Sequence, residues 1–202
     1  MTESYQSRSL DEKSAQIFEA LHNETARLFL RWKLYRCLYS DSPKDFDTWN
    51  LTQTGMFTVL KTVLFEDLVL RLCKLTESSN VYGNLSINAL DDALNEFDPN
   101  FARKYFSKRV RKLTEKCNRL RAVRNKRIAH MDRDLVFNAS VEPVPTLRLI
   151  DIKEPIQTLE DILNVVAQGY GREHTSYGDI LMPVSGDGEQ LIELLRRRER
   201  VN

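Results

Sequence analysis

Glycine and proline are scarce, seven and six of 202 residues. A sandwich or barrel of many short strands needs turn residues at regular intervals, so an all-β fold is not expected. The three cysteines, Cys37, Cys73 and Cys117, form neither a CxxC pair nor an even-numbered framework. They read as small buried thiols in a reducing compartment, not as a disulfide scaffold. No two histidines or cysteines stand at a metal-site spacing, so no metal and no cofactor is expected. Long apolar runs are missing too: the richest segment, MFTVLKTVLFEDLVLRLCKL, is interrupted by Lys61, Glu66, Asp67, Arg71 and Lys74. A bilayer span needs ~20 predominantly apolar residues. The polar opening MTESYQSRSLDEK predicts no signal peptide. Together these point to a cytoplasmic protein that does not enter a membrane.

What is present is ordinary for a globular chain, 42% apolar and 29% charged, with long runs of helix-forming Leu, Glu, Lys, Arg and Ala. The net charge of +1 conceals an uneven distribution. Between Arg103 and Arg133 stand thirteen Lys or Arg against only Glu115 and Asp132. DDALNEFD, Asp91 to Asp98, carries the opposite bias. A neutral total with one basic segment suggests a local anionic partner.

Hydrophobic periodicity predicts the elements. Phe18, Leu21, Leu28, Trp32, Tyr35 and Tyr39 step by three and four through Thr25, an amphipathic helix over about 10–39 with one buried stripe. Ser9 and Glu12 offer a capping box at its start, and Pro43 closes it. A second helix is expected over about 45–76, apolar around most of its later half and therefore central. ESSNVYGNLS reads as a loop, and Ser86 as the N-cap of a short helix, INALDDALNEF, that DPN ends. The basic helix follows over about 101–129, with Phe106, Val110, Leu113, Cys117 and Leu120 as its core stripe. FNASVEPVPTLRLIDIKEP then reads as an extended connection. A helix over 157–170 and a last one in GDGEQLIELLRRRER, with Asp187 as a candidate N-cap, complete the chain. The expected fold is all-α, an up-and-down helical bundle of about four main helices. Residues 1–135 would form the bundle. Residues 136–202 would form a less regular C-terminal extension with one or two further helices packing on it.

Carrying the basic stripe forward by three and four gives positions 124 and 128. Ile128 fits a core position; Arg124 does not. A charge on an apolar stripe needs a partner, a groove or another subunit, because an unpaired buried charge is expensive. His130 stands six residues beyond. On an ideal α-helix that is roughly 120° around and ~9 Å along the axis, so the two side chains do not converge automatically. They would do so if the helix loosened near Ala129, or if a second subunit completed the site.

The chemistry such a pair can carry is RNA cleavage. The 2′-hydroxyl attacks the neighbouring phosphodiester, an imidazole moves the proton, and a guanidinium holds the phosphate and offsets the charge of the transition state. Asn125 and Arg127 would add donors. Lys108, Lys112, Arg119 and Lys126, with Arg111, would guide the nucleic-acid backbone. The bland alternative is that His130 and its basic neighbours satisfy the last carbonyls of the helix and complement its dipole.

LRAVRNKRIAHMD resembles the signature of HEPN domains, in which an arginine followed by a polar residue precedes a histidine by a short spacer. VLRLCKLTESSNVYGNLSINAL is similar to the segment before that signature in the HEPN branch linked to abortive phage infection. The resemblance covers roughly Ala15 to Asp132. It implies a helical bundle that dimerises with two signature motifs facing one cleft, and in many members a metal-independent endoribonuclease acting as toxin or antiviral effector. Arg124 would then stabilise the phosphate, Asn125 would be the polar residue beside it, and His130 would be the catalytic histidine. The implied partners are RNA, a second copy of the chain and an antitoxin protein. A non-catalytic HEPN-like module binding RNA, a nucleotide or a protein is the alternative, since other members only bind.

Elsewhere the signals are weaker. Glu77 reads first as a solvated helix end and second as an acid able to pair with Arg124 or orient His130. His22 reads as a surface histidine. His174 lies in GYGREHTSYGD, whose glycine pattern is too incomplete for a phosphate cradle. The closing RRRER reads as a charged helix face.

Overall fold

The computed structural model describes residues 9–39, 54–79, 83–128 and 145–179, together with Gln190, Leu191, Glu193 and Arg197. All regular structure among them is helical. The chain is all-α, as its periodicity predicts.

Helix α1 (Glu12–Leu38) buries Phe18, Leu21, Thr25, Leu28, Tyr35 and Leu38, the stripe expected from the three-and-four spacing. Trp32 stacks nearly parallel on Tyr35. The expected capping box is absent: Asp11 is the N-cap residue and makes no side-chain cap bond. Because the helix begins at Glu12, that carboxylate occupies its first position and lies too early to close a box with Ser9.

Helix α2 (Thr54–Leu75) divides in two. Leu68, Val69, Leu72 and Cys73 are fully buried, whereas Met56, Val59 and Val63 are exposed. The later half is central, as its all-round apolarity requires. Asp67 accepts from both Arg31 and Arg71, and Arg71 reaches Glu24 at 3.4 Å. This charged lattice fixes α1 against α2. The expected start near 45 lies outside the described residues.

Helix α3 (Ile87–Phe97) has the predicted cap, Ser86 Oγ accepting from the Ala89 amide at 3.3 Å. Asp98 then caps α4 (Pro99–Phe101) by accepting from the Phe101 amide, with Pro99 at the first helical position, where its missing N–H costs nothing.

The basic segment continues from α4 as a π turn (Ala102–Phe106), α5 (Ser107–Lys116), α6 (Asn118–Val123) and a second π turn (Arg124–Ile128). Phe106, Leu113, Cys117 and Leu120 are fully buried and Val110 nearly so, confirming the stripe.

Helix α7 (Leu149–Gly169) begins about two turns before the expected start at Gln157. Two features extend it. Asp151 Oδ2 accepts from the Arg148 amide at 2.8 Å, and the apolar period runs back through Ile156 to Ile152, both buried. Pro155, inside the helix, lacks the N–H that would have donated to the Asp151 carbonyl, and its ring crowds that carbonyl. The C-terminus is a Schellman turn: Arg172 N donates to Ala167 O at 2.8 Å, and Gly171 supplies φ +67°. A 3₁₀ turn (Tyr177–Asp179) follows.

Leu159, Ile162 and Val166 of α7 are fully buried and share one core cluster with α1, α2, α3 and the basic segment. The expected boundary near residue 135 lies outside the described residues, as does Asp187. Gln190, Leu191, Glu193 and Arg197 are helical. Among the described residues, no helix is long and apolar enough to cross a membrane.

Candidate functional site

The basic segment changes character after Val123, its last buried apolar residue. Up to that point its inward positions are apolar; at the next inward step the chain winds into the π turn Arg124–Ile128, in which no residue is fully buried. Insertions of this kind commonly mark functional positions, because they redirect side chains from the regular helical register.

Arg124 follows the stripe inward, and its side chain is only 18% exposed. Its charge is met by Glu77, whose Oε1 accepts from Arg124 Nη1 at 3.0 Å. Arg124 Nε donates to Asn125 Oδ1 at 2.9 Å. The two residues of the expected Arg–Asn pair are therefore bonded to each other, and the acid sought for Arg124 is Glu77, just past the end of α2. Reading Glu77 as a solvated helix end underestimated it, because its partner lies 47 residues away and leaves no local signal.

A second arginine fixes that acid. Arg121 Nη2 donates to the Thr76 carbonyl at 2.6 Å and to Thr76 Oγ1 at 2.9 Å, while Nη1 donates to Thr114 O and Asn118 Oδ1. Asn88 Nδ2 of α3 donates to the carbonyls of both Thr76 and Glu77, and Thr76 Oγ1 donates back to Leu72 O. Three elements thus clamp residues 76 and 77, and the clamp presents Glu77 to Arg124. Arg121, Thr76 and Asn88 are the residues sequence reasoning missed. The available signal was the spacing of Arg121 and Arg124, three apart and hence on neighbouring faces.

Two thiols lie beneath. Burial pushes Cys73 up to about 11, against the smaller opposing pull of the Arg124 charge. Burial also raises Cys117, opposed by its bond to Thr76 and the charge of Arg121. Both are therefore protonated near neutrality, which bars them from thiolate chemistry and matches their reading as core residues.

The remaining candidates scatter along the segment. Asn125 and Arg127 are exposed and Lys126 half-exposed. Lys108 and Lys112 are exposed on α5. Arg119 is held: Nη1 donates to Asp151 at 3.2 Å and Nη2 to the Thr146 carbonyl at 2.9 Å, tying α6 to the start of α7. His130 lies outside the described residues. The α-helical projection from Arg124 to His130 assumed 100° per residue, and the intervening π turn removes that assumption. His22 is half-buried, with Nδ1 2.7 Å from the Tyr177 hydroxyl, so it locks the 3₁₀ turn to α1 and is not a free surface residue. His174 is exposed.

The all-helical bundle is the architecture that the HEPN resemblance implies, and its basic segment ends in an Arg–Asn pair braced by an acid that follows α2. The model of the HEPN AbiU2 family, described as AbiU2, matches residues 11–191. The chain belongs to that family, a HEPN-type abortive-infection family. The match reaches beyond the Ala15–Asp132 resemblance at both ends and takes in α7. No curated protein and no solved structure matches.

Proposed function

We propose that the protein is a metal-independent endoribonuclease, an effector of abortive infection that acts as a toxin in the cytoplasm, working as a homodimer and restrained by an antitoxin protein. The observation that carries this reading is Arg124. A guanidinium is held on an apolar stripe, oriented by Asn125 and Glu77 through Nε and Nη1. Among the described residues no hydrogen bond engages its Nη2. A fixed cation with a free donor edge suits a phosphate that gains charge in a transition state. In the proposed reaction the RNA 2′-oxygen attacks phosphorus and the bond to the 5′-oxygen breaks. The products are a 2′,3′-cyclic phosphate and a 5′-hydroxyl. His130 takes the 2′-hydroxyl proton, and water supplies the proton that the 5′-oxygen gains as it leaves. Lys126, Arg127, Lys112 and Lys108 add to the phosphate field, as does Arg119 from its position beside Asp151.

One observation favours the alternative, a HEPN-like module that binds RNA, a nucleotide or a protein without cleaving. Glu77 already neutralises Arg124, and a phosphate has to share or displace that partner. Purified protein incubated with total RNA in EDTA decides between them. The enzyme reading expects cleavage to 2′,3′-cyclic ends, lowered at least about 100-fold in Arg124→Ala and His130→Ala. Intact RNA, bound equally by the wild type and both variants, would establish the binding module instead. Sedimentation at micromolar concentration tests the homodimer; a strict monomer removes it.

A further inference from the structure

Beside Arg124, on the other flank of the second π turn, a cleft of about 260 Å³ opens between that turn, α2 and the strand-free segment 145–147. This is smaller than the ~300–1,000 Å³ typical of sites for drug-sized ligands, and it suits one nucleotide unit. Phe65, Ile128 and Leu147 form apolar walls. The Phe65 ring is braced by Tyr35, 5.9 Å away centroid to centroid, so one wall is a pre-positioned aromatic. Two opposite charges line the same cleft, Glu66 from α2 and Arg127 from the π turn. Among the described residues neither Glu66, which is partly buried, nor the exposed Arg127 makes an ion pair or a hydrogen bond.

We infer that this cleft receives a guanine nucleotide of the bound RNA, with Phe65 stacking on the base, Glu66 reading its edge and Arg127 holding its phosphate. The choice of base follows from donors and acceptors. A carboxylate offers two acceptor oxygens and no donor. Guanine alone presents two adjacent donors, the ring N1–H and the exocyclic amine, to such a pair. Adenine and cytosine each set an acceptor beside their amine, and uracil flanks its single N–H with two carbonyls, so all three place a lone pair against the carboxylate. Aromatic stacking adds affinity for any base and does not discriminate. Discrimination therefore rests on Glu66. Arg127 and Arg124 belong to the same five-residue turn, so the cleft and the proposed catalytic arginine are carried by one segment. The inference rests on the ribonuclease reading and adds the specificity that reading lacks.

The test is titration of guanosine, adenosine and uridine 5′-monophosphates into the full chain, followed by calorimetry, together with mapping of cleavage sites on a defined RNA. Guanosine monophosphate is expected to bind about tenfold or more tightly than the other two, a preference abolished in Glu66→Gln. Thr62→Leu, which fills the cleft from an exposed position of α2, is expected to weaken all three nucleotides alike. Cleavage by Glu66→Gln should persist but lose its bias for sites beside guanosine. Equal affinity for the three nucleotides, or a preference surviving in Glu66→Gln, overturns the inference. RNA cleavage without guanine preference overturns it while leaving the ribonuclease intact. Guanine-selective binding without cleavage supports the cleft and sinks the ribonuclease.

Discussion

The two π turns of the basic segment are built from similar residues, ARKYF and RNKRI, and do opposite things. In both, position three is a lysine turned towards solvent, Lys104 fully and Lys126 partly. The difference lies at positions one and five. In the first turn these are Ala102 and Phe106, both fully buried; Phe101 beside them packs edge-on against Tyr170 at 4.9 Å, and a Cβ on Gly169 would stand 2.3 Å from its ring. In the second they are Arg124 and Ile128, neither fully buried. The same backbone device serves packing where an alanine starts it, and presents charge where an arginine does. A π turn is thus a means of re-aiming side chains, and the residue at its first position decides what is aimed.

Substitutions can break this contrast. The largest effect on stability is expected from Phe106→Ala, about 3–5 kcal/mol in denaturant unfolding, the usual cost of emptying a full aromatic site. Arg124→Ala should cost no more than about 1–2 kcal/mol, since the pair it breaks is partly solvated. A larger loss for Arg124 than for Phe106 would mean that the second turn is structural as well, and the contrast would collapse.

Next in size is Arg121→Ala, about 1.5–3 kcal/mol, because it strips the Thr76 carbonyl of a charged donor. Glu77→Gln, which keeps the shape but removes the charge, should cost about 1 kcal/mol or less. Amide exchange should quicken at residues 76 and 77 in the Arg121 variant but not at Phe106. Unchanged exchange there would show that the clamp does not position Glu77.

A smaller effect, of known sign, comes from alkali. The Cys73 thiol stands at about 11 in the folded chain against an ordinary 9.0. Its contribution is complete below about pH 9 and fades as pH rises towards 11, since only the unfolded chain then gains by ionising. Burial raises Tyr39 to about 12 and lifts Cys117 and Tyr177 as well, so all four act in the same direction. At about pH 10 the Cys73 share is about 1 kcal/mol. Urea midpoints measured across this range should fall less steeply in Cys73→Ala; identical slopes would place the thiol in contact with water. Smallest of all is Lys126→Ala, within about 0.5 kcal/mol by thermal unfolding, yet with weaker RNA binding and a lower salt slope. A stability loss well above that figure would give Lys126 a packing role like that of the first turn.

The helices were legible wherever burial imposes a local period. Phe18 to Leu38 in α1 and Phe106 to Leu120 in the basic segment repeat every three or four residues because one face must leave water. The Ser86 cap was legible because its partner is three residues away. The start of α7 was not, since Pro155 is a breaker in isolation, and the helix is sustained by Asp151 and by packing on distant helices. At the site, Arg124 announced itself by standing on an apolar stripe. Glu77 was only the second reading of its position, and nothing near Arg124 pointed to Arg121's hold on Thr76 or to the cleft that Glu66 and Arg127 both line.

The chain by itself determined that this protein is all-helical, where its basic segment turns inward, and that Arg124 interrupts that inward face. These follow from periodicity and charge, which depend on neighbours within a turn. Only the tertiary structure decided which acid answers Arg124, what holds that acid, and which residues share a cleft. Such pairings join residues dozens of positions apart, and their energy appears only when packing removes the water that would otherwise solvate each charge alone.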